Sequence, residues 1–213
     1  MHILILPSSY PNKLNRVCGI FVKEQAQALA SLGHKTGLVY VSQYTIAECL
    51  KVNFFIGLTK ERQTQVLNYI FTLPVIKKFN ILNYFLRNII YKILLKKYIK
   101  ENGKPDLVHV HHFILGPIAL WLKQKYQIPY LVTEHSSRFV EKAVSPLKLK
   151  IAQKVFSHSN ANIAVSKDFR DFLQKQFKTE FFYIPNLVNT DFFTPSLSKK
   201  ESKEYVFLNV GFL

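Results

Sequence analysis

The segment from His2 to Val41 narrows the possible folds more than any other part of the chain. His2-Ile-Leu-Ile-Leu-Pro7 is an apolar run closed by proline, the form of a strand buried on both faces. A polar loop, Ser8 to Val17, follows it and carries Pro11, Asn12 and Asn15. Phe21, Gln25, Ala28, Leu29 and Leu32 then fall on one face of a helix expected from Gly19 to Leu32, with Gly33 ending it. Thr36 to Val41 reads as the next strand. Strand, loop, helix, glycine and strand make a βαβ unit, and its right-handed crossover requires a parallel sheet.

The same alternation returns further on. Helices are expected near Lys60 to Phe71 and from Ile81 to Glu101. Pro105-Asp-Leu-Val-His-Val-His111 is a strand, Ile114 to Tyr126 a helix, Pro129 to Thr133 a strand and Leu147 to Ser157 a helix. Asn162 to Val165 is a strand, Lys167 to Phe177 a helix capped by Ser166, and Glu180 to Ile184 a strand. The pattern predicts an α/β domain, Rossmann-like and doubly wound, with a mainly parallel sheet and helices on both faces. Residues 1–195 are expected to form this domain. Residues 196–204 are polar and charged like a linker. Residues 205–213 read as the first strand of a second domain, so the chain is expected to be a truncated product.

Charge narrows the partners. Lys and Arg number 29 against 13 Asp and Glu, a formal net charge of +16. Unpaired lysines do not bury, so this surplus lies at the surface and suits nucleic acid, an anionic membrane surface or a phosphate-bearing substrate. Cys18 and Cys49 have no CxxC spacing, which argues against a disulfide framework or structural zinc. Pro7 halts the apolar run Ile3 to Leu6 far short of a signal sequence, and no apolar stretch is long enough to span a bilayer. The expectation is a soluble or peripheral cytoplasmic protein.

No Walker-type loop, GxGxxG, HExxH or GxSxG occurs. What remains is a set of polar residues at the carboxyl ends of strands, where open α/β sheets bind ligands. Gly19 stands where the first loop enters its helix. There it either lets backbone N–H groups approach an anion or serves a tight turn. His109 and His111 share one strand face and His112 points the other way. A metal site would need ligands that no nearby cysteine or acidic pair supplies, so local hydrogen bonding is the favoured reading of His109. Thr133-Glu134-His135-Ser136-Ser137 follows another strand. It can orient a polar ligand and move a proton, or it can merely cap the next helix.

From Pro74 to Lys104 there are eight Lys or Arg and one Glu. In helical register Asn88, Lys92, Lys96 and Lys100 make a polar stripe, with Ile89, Ile90, Ile93 and Leu94 on the apolar side. Aromatic residues Phe79, Tyr84, Phe85, Tyr91 and Tyr98 are interspersed. Such a helix suits anionic lipid, with Arg87, Lys92, Lys96, Lys97 and Lys100 facing the membrane, or it is an amphipathic helix with a solvated lysine face. Nucleic-acid binding lacks a recognised module and is not expected.

Taken together, four pieces resemble the N-terminal domain of family-four (group 1) GT-B-fold glycosyltransferases. They are Gly19-Ile-Phe-Val-x-Glu-Gln-Ala-x-Ala-Leu-x-x-Leu-Gly33-His34, Asp106-Leu-Val-His-Val-His111 with Gly116, Ile128-Pro-Tyr-Leu-Val-Thr-Glu-His135 with Ala164-Val-Ser166, and Ile184-Pro-Asn186-Leu-Val-Asn-Thr-Asp191-Phe-Phe-Thr-Pro195. Their order and spacing cover nearly the whole chain. The resemblance implies a transferase that moves a sugar from a nucleotide-diphosphate sugar to an acceptor hydroxyl, usually with retention. It implies no cofactor and no tightly bound metal. A saccharide or lipid-linked acceptor in cell-surface polysaccharide or glycolipid synthesis fits the family's range.

The resemblance also implies roles for particular residues. His135 lies near the transferred sugar and is the expected catalytic residue. Gly19 carries over from the glycine pair near the donor diphosphate, whose first member is Cys18 here. His111, Glu134 and Ser136 are expected to contact substrate or the cleft wall, and Asn186 to sit in the interdomain connection. The family's donor-binding residues belong to its second domain, so these residues alone are expected to be inactive. Two rivals stand beside this reading. One is a non-catalytic α/β module with a basic membrane-docking surface. The other is a sugar-nucleotide epimerase, which would need a glycine-rich loop that Ser8 to Gly19 does not provide.

Overall fold

The computed structural model describes residues 1–194, except 52, 54, 189, 191 and 192, together with Phe207. Apart from Phe207, the expected linker at 196–204 and strand at 205–213 lie outside the described residues. In chain order the elements are β1 (His2–Leu6), α1 (Ile20–Ser31), β2 (Lys35–Thr45), α2 (Ile46–Lys51), β3 (Gly57–Gln63), β4 (Val66–Val75) and α3 (Asn80–Asn102). They continue with β5 (Leu107–His111), α4 (Gly116–Tyr126), β6 (Tyr130–Glu134), α5 (Pro146–His158), β7 (Ala161–Ala164), α6 (Lys167–Phe177) and β8 (Phe182–Tyr183).

The strands form one sheet in the order β3-β4-β2-β1-β5-β6-β7-β8. Every neighbouring pair is parallel except β3 with β4. The chain winds outward from β1 through β2, then returns along α3 to start β5 on the other side of β1. That reversal opens a crevice at the carboxyl ends of β1 and β5, the usual ligand position in open α/β sheets. Val22, Ala26 and Ala30 of α1 pack on one sheet face with Ile3, Ile5 and Leu38. Buried residues of α3, α4, α5 and α6 cover the other face, over Leu4, Leu6, Val108, Val110 and Val132. Ser166 caps α6 as its sequence implies, its hydroxyl accepting from the Phe169 N–H at 3.2 Å.

The helix expected from Lys60 to Phe71 is instead the hairpin β3–β4. Val66-Leu-Asn-Tyr-Ile-Phe-Thr-Leu73 is rich in β-branched and aromatic residues and lies between two neighbours, as a central strand does. Lys60-Glu-Arg-Gln63 looks helical because helix formers also make a good charged edge strand, which discourages pairing with another chain. The two strands meet at Thr64 and Gln65, both at positive φ (44° and 67°). A turn of this kind usually announces itself with Asn-Gly, and here it does not.

The amphipathic face of α3 is also rotated from the expectation. Tyr91, Leu94, Leu95 and Tyr98 are its buried residues, whereas Ile89 and Ile93 are more than half exposed. Two tyrosines can occupy the buried side because their hydroxyls find partners. Tyr91 accepts from the Val41 N–H at 3.2 Å, and the Tyr98 hydroxyl lies 2.8 Å from His2 Nε2. Each buried ring contributes about 2–3 kcal/mol through area removed from water. Gly37 in β2 is required beneath Tyr98, since a Cβ there would stand 1.8 Å from the phenol oxygen.

Candidate functional site

The loop from β1 reaches α1 through Gly19, whose φ is 64° and whose Cβ, if it had one, would lie 2.3 Å from the Ser9 carbonyl oxygen. Only glycine satisfies both constraints. The tight entry presents the first turn of α1 to the crevice and sets Phe21 on the ring of His135, with centroids 4.5 Å apart.

β5 and β6 supply the histidines. His109 and His111 share the sheet face on which α1 packs, their rings 4.2 Å apart. His109 is satisfied locally by Thr133, Nε2 to Oγ1 at 2.7 Å. His111 Nδ1 meets His135 Nε2 at 3.1 Å, with the rings nearly parallel at 16°. His111 Nε2 and His135 Nδ1 are buried and have no hydrogen-bond partner among the described residues. Burial lowers the proton affinity of all three. His109 falls to about 3, His135 to about 4 with help from His112, and His111 well below the ordinary histidine value. Near neutral pH they are uncharged. One nitrogen of the His111–His135 contact must then donate and the other accept. In either arrangement the two outer nitrogens offer one donor and one acceptor.

Glu134 is not on the wall of the crevice. It is wholly buried, and its oxygens accept from the N–H groups of Phe113 at 2.9 Å, His135 at 3.0 Å and Ser136 at 2.9 Å. This carboxylate ties the loop after β5 to the loop after β6. Burial raises its pKa to about 7, while the three N–H donors pull the other way. The expectation of a substrate contact is therefore corrected to a clamp that positions His135 and Ser136.

Ser136 lines a pocket of about 250 Å³ with Ser8, His112, Arg138 and Lys148. Asn186, exposed on the segment after β8, lines a small hollow with Phe21, Thr133 and His135. His111, His135 and Asn186 thus gather with the Gly19 end of α1 at the carboxyl ends of the strands, with Ser136 beside them. Lys92, Lys96, Lys97 and Lys100 are exposed on α3. Arg87 is not on their stripe. Its Nε is buried, and its guanidinium lies over the Tyr84 ring at 5.4 Å, in a groove between α3 and α5.

Sequence reasoning missed Phe21 and His112. His112 sits just past β5 at φ 80°, and its Nδ1 accepts from the Ile114 N–H at 3.2 Å. Burial, then Lys148, Arg138 and Arg87 in that order, bring its pKa to about 4. The position directly after a strand was its only signal. Among the described residues no group of three or more His, Cys, Asp or Glu is placed to hold a metal ion, and no helix is long and apolar enough to cross a membrane.

Comparison with known proteins matches this architecture. The family model of Glycosyltransferase Family 4 matches residues 19–192. No curated protein matches the chain. Sucrose-phosphate synthase from Thermosynechococcus elongatus is similar in structure, with a TM-score of 0.67 at 16% identity over 92% of this chain and 51% of that one. The catalytic domain of starch synthase IV from Arabidopsis thaliana, solved with ADP and acarbose, gives 0.59 at 14% identity over 90% of this chain and 52% of that one. A putative UDP-N-acetylglucosamine 2-epimerase from Listeria monocytogenes gives 0.51 at 14% identity over 84% and 44%. At these identities the likeness is one of fold, and the chain spans about half the length of the first two structures. The family match covers most of the sequence, and the chain belongs to Glycosyltransferase Family 4 as an N-terminal, Rossmann-like domain of the GT-B fold.

Proposed function

We propose that residues 1–195 form the acceptor-side wall of a sugar-transfer crevice, working with a second domain that binds a nucleotide-diphosphate sugar. The observation that carries this reading is the contact of His111 with His135 beneath Phe21, next to the glycine-gated start of α1. The reaction moves the sugar from the diphosphate to an acceptor hydroxyl, with retention and without a bound metal. Charge developing on the diphosphate is met by the N-terminus of α1, where N–H groups and the helix dipole favour an anion. Neutral His135 offers a hydrogen bond to the transferred sugar, and His111 fixes its ring and its tautomer.

A protein joining this chain to a nucleotide-sugar-binding domain is expected to transfer sugar from one member of a nucleotide-sugar panel into membrane glycolipid or polysaccharide. Residues 1–213 alone are expected to give no product by mass spectrometry. Turnover by residues 1–213 alone would contradict this division of labour.

The setting we assign is the cytoplasmic face of a membrane, in cell-surface polysaccharide or glycolipid synthesis. The support is on α3, where exposed Leu82, Phe85, Ile89 and Ile93 run along one side with exposed Lys92, Lys96 and Lys97 beside them. Apolar side chains next to lysines suit the boundary between acyl chains and anionic headgroups. Co-sedimentation with vesicles is expected to rise with the fraction of anionic lipid and to fall as salt is added. Binding indifferent to both removes the membrane assignment.

A further inference from the structure

α1 carries one polar side chain where its packing calls for an apolar one. Phe21, Gln25 and Leu29 stand one turn apart on the same side of the helix, and Phe21 and Leu29 both pack against the core beneath it. Gln25 lies between them with its amide oxygen buried and without a hydrogen-bond partner among the described residues. Such an oxygen gives up its hydration and gains nothing, whereas leucine or methionine would fill the place without that loss. Gln25 is not isolated. Buried side-chain atoms lacking a partner occur in five of the described residues, Gln25, Asn68, Arg87, His111 and His135. Three of the five cluster at Phe21, whose ring lies 4.5 Å from that of His135 and 6.5 Å from that of His111.

Gln25 and His135 line one hollow of about 50 Å³, together with Phe21, Thr133 and Asn186. Set against the ~30 Å³ that a water molecule fills in the liquid, it has room for a hydroxyl and its carbon but not for a sugar ring. Donors and acceptors decide what fits. Gln25 Oε1 only accepts. His135 Nδ1 donates or accepts according to its tautomer, which is tied to that of His111 through their contact at 3.1 Å. A carbonyl or ether oxygen accepts only, so it leaves Gln25 Oε1 unpaired. An ammonium can give to both atoms, but no residue lining the hollow is acidic, and the buried charge would go uncompensated. A hydroxyl serves both: it gives its single proton to Gln25 Oε1 and accepts from His135 Nδ1–H. Neutral His135 then accepts at Nε2 from His111 Nδ1–H, so one buried oxygen on α1 fixes the state of both rings.

We propose that Gln25 is a specificity residue for the transferred sugar, accepting the proton of one sugar hydroxyl that His135 holds from the other side and thereby setting the tautomers of His135 and His111. This rests on the transfer reading above and adds a substrate contact from α1 to the same crevice. Gln25 sits on the packing side of its helix because its amide oxygen is aimed at a ligand and not at the core.

Kinetics of the full-length protein test this with UDP-glucose, UDP-galactose, UDP-N-acetylglucosamine and GDP-mannose, then with the monodeoxy analogues of the donor that is turned over. Loss of one particular hydroxyl is expected to lower kcat/KM by about 10- to 100-fold in the wild type. Gln25→Met, close to glutamine in size but without the acceptor, is expected to lower kcat/KM for the parent donor by a similar factor. The same variant is expected to change the analogue lacking that hydroxyl by less than about threefold. Gln25→Glu keeps an acceptor oxygen and is expected to restore the preference for the hydroxyl. With donor bound and no acceptor present, long-range proton–nitrogen NMR correlation is expected to show the ring proton on Nδ1 of both His135 and His111 in the wild type. Gln25→Met is expected to mix the tautomers of His135. A Gln25→Met variant that loses all the donor analogues by one common factor acts through the packing of α1 and overturns the proposal. Parent-donor turnover within about threefold of wild type overturns it too, as does an Nε2 proton on His135. Transfer indifferent to Gln25 removes this residue alone, whereas no transfer from any donor of the panel removes the transferase reading with it.

Discussion

Replacing His135 with alanine in a two-domain transferase carrying this chain is expected to lower kcat by about 10²- to 10³-fold, with little change in KM for the donor. The size follows from what the residue is placed to do. His135 is held from three sides: Phe21 lies against its ring, His111 Nδ1 meets its Nε2, and Glu134 accepts from its backbone N–H. A side chain fixed this firmly spends no reorganisation when charge develops, so its loss shows in the chemical step more than in binding. His135→Gln keeps a donor on a longer, unfixed arm and is expected to fall between wild type and alanine. Steady-state kinetics on folded variants check the order. An alanine variant within about threefold of wild type in kcat would remove His135 from the reaction.

The second large effect is acid sensitivity of the fold. His109, His111, His112 and His135 all have folded-state proton affinities below the ordinary histidine value, with burial the first cause in each. A depressed pKa means that the unfolded chain takes up protons first as pH falls. The stability these groups supply is present above about pH 6.5 and drains away as pH drops toward their folded values. For His112 and His135, each at about 4, the loss by pH 5 is about 2 kcal/mol apiece. Glu134 has the opposite sign. Its pKa is raised to about 7, so protonation in the folded state adds stability as pH falls, by about 2 kcal/mol over the same interval. One glutamate cannot offset four histidines. Denaturant midpoints are expected to fall steadily between pH 7 and pH 5, and a flat profile would mean that the cluster is hydrated and open.

Much of this architecture could be read from the residues. The βαβ opening, the Ser166 cap and the returning strands each carry a local cause in the chain, and each element formed where that cause pointed. The hairpin did not, because Thr64 and Gln65 adopt positive φ without the glycine or asparagine that usually signals it. The face of α3 was misassigned for a different reason. Isoleucine outranks tyrosine in hydrophobicity, but Tyr91 and Tyr98 win the buried side because Val41 and His2 satisfy their hydroxyls, and such partners are distant in sequence. Within the crevice, strand-end position made His111 and His135 candidates, and the family resemblance gave them their expected roles. Neither could show that Glu134 turns inward or that Phe21 and His112 join them, since both depend on how neighbouring loops close.

α3 is divided along its length. Its last turns are locked into the sheet by Leu94, Leu95 and Tyr98, and Glu101 is tied to Lys60, Lys97 and Tyr69. Its first turns carry the exposed side chains of Ile81, Leu82, Phe85 and Leu86. Variation can therefore accumulate in the opening half without disturbing the anchored half. Swapping residues 80–86 between homologous chains is expected to change the exposed surface of the helix while its folding is kept, with surface chemistry and stability residing on separate stretches of one rod.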